Sequence, residues 1–238
     1  MLVDKQALLR SCRSAALALR SDGYFLFSQF LNSEAIEELK AELSRLSNGR
    51  LRDSFICRTP AGDVLAMTAL ETHSTFLFDF ARRRDFREIA ECLAGTTVVP
   101  LNIEFFSKPA RWLTGSPPHQ DEVYYRHLDG MSAFSFWVAL DDVSQYSGAI
   151  EYAYPVPASL LPHKISQSPG FNFELTQPEQ LQYKAIEVPC GGCLVHRSLT
   201  VHRSRPNYTD QSRNAIAFSF RPSRLAQQPS EADGACAN

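Results

Sequence analysis

The sequence predicts a mainly β protein with its helices gathered at the N-terminal end: an antiparallel barrel or sandwich carrying a helical layer on one outer face. Three observations lead there. Amphipathic stretches of helical period are confined to about residues 4–95, and from about 96 to 222 short apolar runs follow one another, punctuated by Gly, Pro, Asn and Asp. The segment 132–140 alternates, with Phe134, Phe136 and Val138 on one face and Ser135, Trp137 and Ala139 on the other, the period of a strand. With 238 residues and 44 % hydrophobic content, including 16 Phe and 8 Tyr, the chain can bury a sizeable core. One domain over residues 1–222 is the expectation, followed by an Ala-, Gln-, Ser- and Gly-rich tail at 223–238 that is expected to be disordered.

Leu8 to Leu19 alternates Ala and Leu with Arg as a short amphipathic helix, and Ser21-Asp22-Gly23 supplies its C-terminal stop. Tyr24 to Phe27 reads as a strand. Asn32 or Ser33 caps a second helix running to about Leu46, with Ile36, Leu39, Leu43 and Leu46 on one stripe. Residues 50–75 give no clear period beyond the turn Pro60-Ala61-Gly62-Asp63, and read as a loop near the mouth of a site. Asp85 to Leu93 is a further helix stopped by Gly95, and two strands follow at 96–99 and 102–106. After 132–140, strands are predicted at 149–154, 186–188, 193–196 and 214–220, with the Pro-rich stretch 155–182 able to fold over a cleft.

A net charge of −2 gives no reason to expect nucleic acid or an anionic membrane as partner, and no apolar run approaches the length of a membrane span. The expected partner is a small molecule and the expected compartment the cytoplasm. Six scattered cysteines do not make a disulfide scaffold. Cys190-Gly191-Gly192-Cys193 lacks the second pair that structural zinc requires, so it reads as a Gly-rich turn entering a strand.

The chemistry-bearing stretch is His119-Gln120-Asp121. In extended backbone, side chains at i and i+2 leave the same face, so the His119 imidazole and the Asp121 carboxylate can grip one metal ion while Gln120 points away. A second histidine from afar would complete a 2-His-1-carboxylate face, the geometry of non-haem Fe(II) oxygenases. His196-Arg197-Ser198 and His202-Arg203-Ser204 repeat one tripeptide and compete for that place, both able to lie on one strand face. His196 reads as a buried strand histidine. Arg213 opens a strand on the side of Ala215, Ala217 and Ser219, where small neighbours leave room for a ligand; its fork can clamp a carboxylate with the Ser204 hydroxyl as a second donor.

These features resemble the phytanoyl-CoA dioxygenase family of Fe(II)/2-oxoglutarate-dependent oxygenases. The resemblance runs in order from Gly23-Tyr24-Phe25 and Leu31-Asn32-Ser33-Glu34 through Phe106-Ser107-Lys108-Pro109, His119-Gln120-Asp121-Glu122, Trp137-Val138-Ala139-Leu140-Asp141-Asp142 and Ser147-Gly148-Ala149 to Gly192-Cys193-Leu194-Val195-His196 and His202-Arg203-Ser204-Arg205-Pro206-Asn207 with Arg213. It implies a double-stranded β-helix, the cupin-like jelly roll. It implies His119, Asp121 and His202 as iron ligands, and Arg213, eleven positions after His202, with Ser204 at the cosubstrate carboxylate. Two departures stand out: Ile150 to Ser159 replaces the family's usual Pro-Gly-Ser-His turn, and Cys193 stands where an acid is usual.

The resemblance further implies Fe(II), 2-oxoglutarate and O2, and oxidation of a small-molecule C–H, hydroxylation first, with decarboxylation of 2-oxoglutarate to succinate and CO2. Desaturation, cyclisation or metal and ligand binding without turnover are the alternatives. A zinc hydrolase would use the same three ligands but leave Arg213 without a role. Lys108 is a further candidate for the cosubstrate anion, and Tyr124, Tyr125, Phe134, Phe136, Trp112 and Tyr152 are candidates for a substrate wall, with Tyr125 placed foremost.

Overall fold

A computed structural model of the chain describes residues 2–49, 51–125 and 133–223. Position 132 of the alternating strand and the tail from 224 lie outside the described residues. Four helices, α1 (Lys5–Ser21), α2 (Ser33–Ser47), α3 (Thr75–Arg82) and α4 (Arg84–Ala94), precede or interrupt the first strands. Local chemistry sets their ends: Asp4, Asn32 and Ser74 accept the backbone N–H of Ala7, Ala35 and Leu77, satisfying donors that the first helical turn leaves unpaired. At the end of α1 the chain turns through Gly23 at φ +79, and a Cβ there would lie 2.5 Å from Thr200 Oγ1. Only glycine fits that approach, and Thr200 Oγ1 donates to its carbonyl at 2.8 Å.

The strands are β1 (Tyr24–Phe27), β2 (Ile56–Arg58), β3 (Val64–Met67), β4 (Val98–Lys108), β5 (Ser116–His119), β6 (Phe134–Ala139), β7 (Ile150–Tyr154), β8 (His163–Ile165), β9 (Phe173–Leu175), β10 (Gln182–Ile186), β11 (Cys193–Arg197), β12 (His202–Ser204) and β13 (Arg213–Pro222). A seven-stranded sheet, β1-β11-β6-β13-β4-β3-β2, faces a four-stranded one, β10-β7-β12-β5, and β8 and β9 form a hairpin. Every pairing is antiparallel. This is the double-stranded β-helix, with the helices on the outer face of the larger sheet.

Strand alternation builds both layers. Phe134, Phe136, Val138, Ile216, Phe218 and Phe220 face the helices and form one core with the α1 and α2 stripes, while Trp137, Ala139, Ala215 and Ala217 face the smaller sheet. Phe86 of α4, 1 % exposed, is the hub of the first layer, with Phe30, Phe80, Phe136, Phe218 and Phe220 all within 6.3 Å of its ring centroid.

Three expectations needed correction. The two strands predicted at 96–99 and 102–106 are one, β4, whose pairing with β13 slips between Phe218 and Phe220 opposite Pro100; a proline has no N–H for the ladder, and the slip accommodates it. The unassigned 50–75 region contributes β2 and β3 as an edge hairpin closed by the predicted turn, where the Gly62 N–H donates to Thr59 O at 2.9 Å. His196 and His202 do not share a strand face: β11 lies in the larger sheet and β12 in the smaller.

Candidate metal centre and anion pocket

His119 ends β5 and His202 opens β12, and the two are directly paired in register, so their side chains leave one face of the smaller sheet. Gln120 continues extended at φ −118 and ψ 129 into a short 3-10 turn over Asp121–Tyr124. The alternation therefore holds across the corner. Gln120 points away, donating to Ser159 O at 3.1 Å and Leu199 O at 2.6 Å and accepting from Leu161 N at 2.8 Å. Asp121 Oδ1 lies 3.5 Å from His119 Nε2 and 3.6 Å from His202 Nε2, and the three side chains can each offer a ligand atom within 4.8 Å of the others.

The hydrogen bonds around these groups prepare them for a cation. His119 Nδ1 faces Pro117 O at 2.9 Å and His202 Nδ1 faces Thr200 O at 3.0 Å. A carbonyl only accepts, so each Nδ1 carries a proton and each Nε2 is the ring atom turned toward Asp121. Burial and the neighbouring His119 push the His202 imidazolium down to about 3, which keeps the ring neutral. Burial alone would raise the Asp121 carboxyl, but His202, His119 and His196 together hold it well below the ordinary carboxylate range. Two imidazoles and one carboxylate fit a divalent ion with open coordination positions.

His196 acts from behind. Its Nε2 donates to Asp121 Oδ2 at 3.1 Å, and its Nδ1 then accepts from the Tyr152 hydroxyl at 2.9 Å. Ser135 Oγ reaches the same oxygen at 3.4 Å. Asp121 Oδ2 is thus held from the larger sheet while Oδ1 faces the two ligand-type histidines. Tyr152 itself is fixed by stacking on Tyr24, with centroids 4.2 Å apart.

The same cavity carries two cations on the larger sheet, Lys108 and Arg213, which face each other in the β4–β13 pairing. Arg213 is 3 % exposed, donates to Gly148 O at 2.9 Å and leaves its Nε without a partner. Lys108 Nζ donates to Thr114 O at 3.0 Å. Burial and the charge of Arg213 push Lys108 down to about 7, and burial pushes Arg213 down to about 10. Among the described residues neither forms a salt bridge. Ser204, bonded at 2.8 Å to Ser116, lines the cavity as well.

A model of the phytanoyl-CoA dioxygenase family matches residues 19–215. The chain belongs to the phytanoyl-CoA dioxygenase family. It is thereby an enzyme of the Fe(II)/2-oxoglutarate-dependent oxygenase type. Among solved structures, the non-haem alpha-ketoglutarate-dependent epimerase SnoN from nogalamycin biosynthesis is similar at 20 % identity and TM-score 0.70, over 92 % of this chain and 84 % of that one. EvdO2 from Micromonospora carbonacea var. aurantiaca, complexed with 2-oxoglutarate, is similar at 22 % identity and TM-score 0.68, over 92 % and 94 %. EctD from S. alaskensis, with 2-oxoglutarate and 5-hydroxyectoine, is similar at 17 % identity and TM-score 0.69, over 87 % and 74 %. At these identities the likeness concerns the fold. No curated protein matches the sequence.

For this phytanoyl-CoA dioxygenase family member, the anticipated substrate wall needs revision. Of its six candidates, Trp112 lines the cavity. Phe134 and Phe136 belong to the helix-side core, because the strand's alternation sends them to the outer face. Tyr125 is buried, its hydroxyl 3.2 Å from both Asn102 Oδ1 and Ser219 Oγ, because the 3-10 turn after Asp121 rotates it into the sheet. Tyr124 packs its ring on Phe173 and accepts from Asn172 N at 3.3 Å. Tyr152 stands behind His196. The Pro-rich stretch does cover the cleft: Pro169, Gly170 and Phe171 line the cavity, and the Phe171 ring lies 5.1 Å from that of His119. Glu104 and Ser116, both cavity residues, were not anticipated; inward spacing along β4 from Lys108 would have found Glu104.

The cysteine turn follows the expectation. Cys190 Sγ meets Leu140 O at 3.1 Å and Cys193 is buried in the core. Among the described residues no helix is long and apolar enough to cross a membrane.

Proposed function

We propose that this enzyme hydroxylates an unactivated C–H of a small molecule, using Fe(II) held by His119, Asp121 and His202 and 2-oxoglutarate held at its C5 carboxylate by Arg213, Ser204 and Lys108. Residues 1–222 then act as one catalytic domain in the cytoplasm, in keeping with the free state of the five described cysteines. The observation that carries the reading is the pairing of opposites in one cavity: a carboxylate with two imidazoles on one side, and on the other two buried cations that form no salt bridge among the described residues. A buried cation without a partner costs several kcal/mol. A dicarboxylate spanning from the metal to these cations would satisfy both.

When bound, Fe(II) with 2-oxoglutarate and O2 supplies the two-electron oxidising chemistry, with succinate and CO2 as the cosubstrate's products. The chain's residues bind and orient. His119 and His202 are fixed as Nδ1–H tautomers, and His196 holds the Asp121 rotamer from behind. Arg213 offers its fork against the sheet, and the Trp137 ring 5.4 Å from the guanidinium carbon limits its movement. Phe171 and Trp112 narrow the mouth and hold water back.

Purified protein with Fe(II), ascorbate and 2-oxoglutarate is expected to form succinate slowly even without its substrate, and faster with a productive one from a broad panel. Succinate no higher than that of a His202→Ala control across the panel would refute the reading in favour of ligand binding without turnover.

A further inference from the structure

Glu104 lies between the two halves of the site and has no assigned task. Its strand, β4, sends Asn102, Glu104, Phe106 and Lys108 toward the cavity, since Phe106 and Lys108 pair with the inward Ala215 and Arg213, and Glu104 pairs with the inward Ala217. Glu104 lines the cavity together with His119, Asp121 and Phe171. Among the described residues it takes part in no salt bridge; the acids Asp121 and Glu71 act against its charge, and the smaller favourable contributions are a hydrogen bond from Asn102 and the field of His119.

Lys108 does not neutralise it. Four residues along one strand face at about 3.3 Å per residue separate the two backbones by about 13 Å, Phe106 stands between them, and Lys108 is turned to Thr114 O. Arg213 sits at the Lys108 end. Arg203, the remaining cation in the cavity lining, is engaged by Glu151 at 2.7 Å. Burial first, then Asp121 and Glu71, push the Glu104 carboxyl up to about 7, against the smaller pull of the Asn102 hydrogen bond and of His119.

The charges of the loaded site do not supply one either. On the reading above, the two charges of Fe(II) are matched by the two of 2-oxoglutarate, and Asp121 is matched by Arg213. The one positive charge left over is that of Lys108, at the far end of the strand face, so Glu104 faces the remaining space with no opposite charge beside it. The walls there, Leu65, Ala66, Pro169 and Phe171, are apolar. A charge in such surroundings calls for an opposite charge or a strong donor.

From this placement we infer that Glu104 is a specificity-determining residue that receives a cationic nitrogen of the substrate, so that the enzyme acts on an amine whose apolar skeleton lies between Phe171 and the metal face. The inference rests on the proposed function. It narrows the unknown substrate to compounds carrying a protonated amine a few bonds from the oxidised carbon.

The test uses the anaerobic Fe(II)–2-oxoglutarate complex of the full chain, followed by the visible charge-transfer band of 2-oxoglutarate chelated to Fe(II). The probes are hexylamine, benzylamine and cyclohexylamine, each against the alcohol of the same skeleton. In the wild type the amines are expected to perturb the band at concentrations at least about tenfold lower than their alcohols, a difference of about 1.4 kcal/mol. Glu104→Gln, nearly isosteric, is expected to abolish the preference by weakening the amines, and Glu104→Asp, which keeps the charge, to retain part of it. Amines and alcohols acting alike, no response to any probe, or a preference that survives Glu104→Gln would overturn the inference while the band itself upholds the reading beneath it. Absence of the band from the wild type would overturn both.

Discussion

Replacing Tyr152 by Phe isolates the hydrogen-bond chain behind the metal face. The ring is 1 % exposed and stacked on Tyr24 at an interplanar angle of 8°, so phenylalanine keeps the packing and removes one hydroxyl. That hydroxyl is the donor to His196 Nδ1 at 2.9 Å. Without it the Nδ1 of a histidine that is 3 % exposed is left unsatisfied, at a cost of about 1–3 kcal/mol. His196 can relieve this by moving its proton from Nε2 to Nδ1, which deletes the donation to Asp121 Oδ2 and leaves that oxygen only the 3.4 Å contact from Ser135. Loss of an outer partner of a metal ligand typically costs about 10–100-fold in metal affinity or activity. As the site retains all three ligands, the lower end, about tenfold weaker Fe(II) binding, is the expected value. Anaerobic Fe(II) titration measures it, and thermal unfolding of the metal-free protein should show a fall of about 2–12 °C. A Tyr152→Phe protein that loses stability yet binds Fe(II) within about twofold of wild type would refute the orienting role.

Four further outcomes follow from the same geometry. Arg213→Met removes the buried fork, and half-saturation by 2-oxoglutarate should rise by about 30-fold or more, about 2 kcal/mol, in steady-state succinate assays; an unchanged value would place the cosubstrate elsewhere. Gly148 sits at φ +96 and a Cβ there would meet Lys108 Cδ at 2.4 Å, so Gly148→Ala should displace Lys108 and weaken 2-oxoglutarate several-fold in the same assay. Lys108 loses its proton at about 7 in the folded protein but only near its ordinary value of about 10.4 when unfolded. The unfolded state therefore binds more protons between those values, and the ligand-free protein should gain on the order of 2–4 kcal/mol as pH rises through that window, read by urea titration and flattened in Lys108→Met. Phe86→Ala empties the hub of the helix-side core and should cost about 3–5 kcal/mol by urea denaturation, since the five rings around it come from α3, α4-facing strands and the β1–α2 connection and cannot collapse together.

Where a physical rule acts over a few residues, the sequence was readable. The stop at Gly23, the stripe of α2 and the two faces of β6 and β13 all follow from spacing alone, and the α2 cap was narrowed to Asn32 or Ser33, of which Asn32 is the cap. The juxtaposition of His119 and Asp121 was readable for the same reason: an i, i+2 pair in extended backbone holds its face. Long-range placement was not. The choice between His196 and His202 depends on which sheet each strand enters, and their identical tripeptides carry no sign of that. Tyr125 was misplaced because a 3-10 turn replaces extended backbone after Asp121, so a period of two no longer applies. β2, β3 and α3 escaped notice because short edge strands and an eight-residue helix rich in Phe give no stable period.

His119, Asp121 and His202, with no help from His196 as a ligand, are expected to hold one iron ion opposite Arg213. A crystal grown anaerobically with Fe(II) and 2-oxoglutarate tests it through the anomalous signal of iron. One peak is expected, bounded by Nε2 of His119, Nε2 of His202 and Oδ1 of Asp121, with the C5 carboxylate of 2-oxoglutarate on Arg213. A peak bonded to His196 Nε2, or seated at Cys190 and Cys193 with the triad empty, would contradict it.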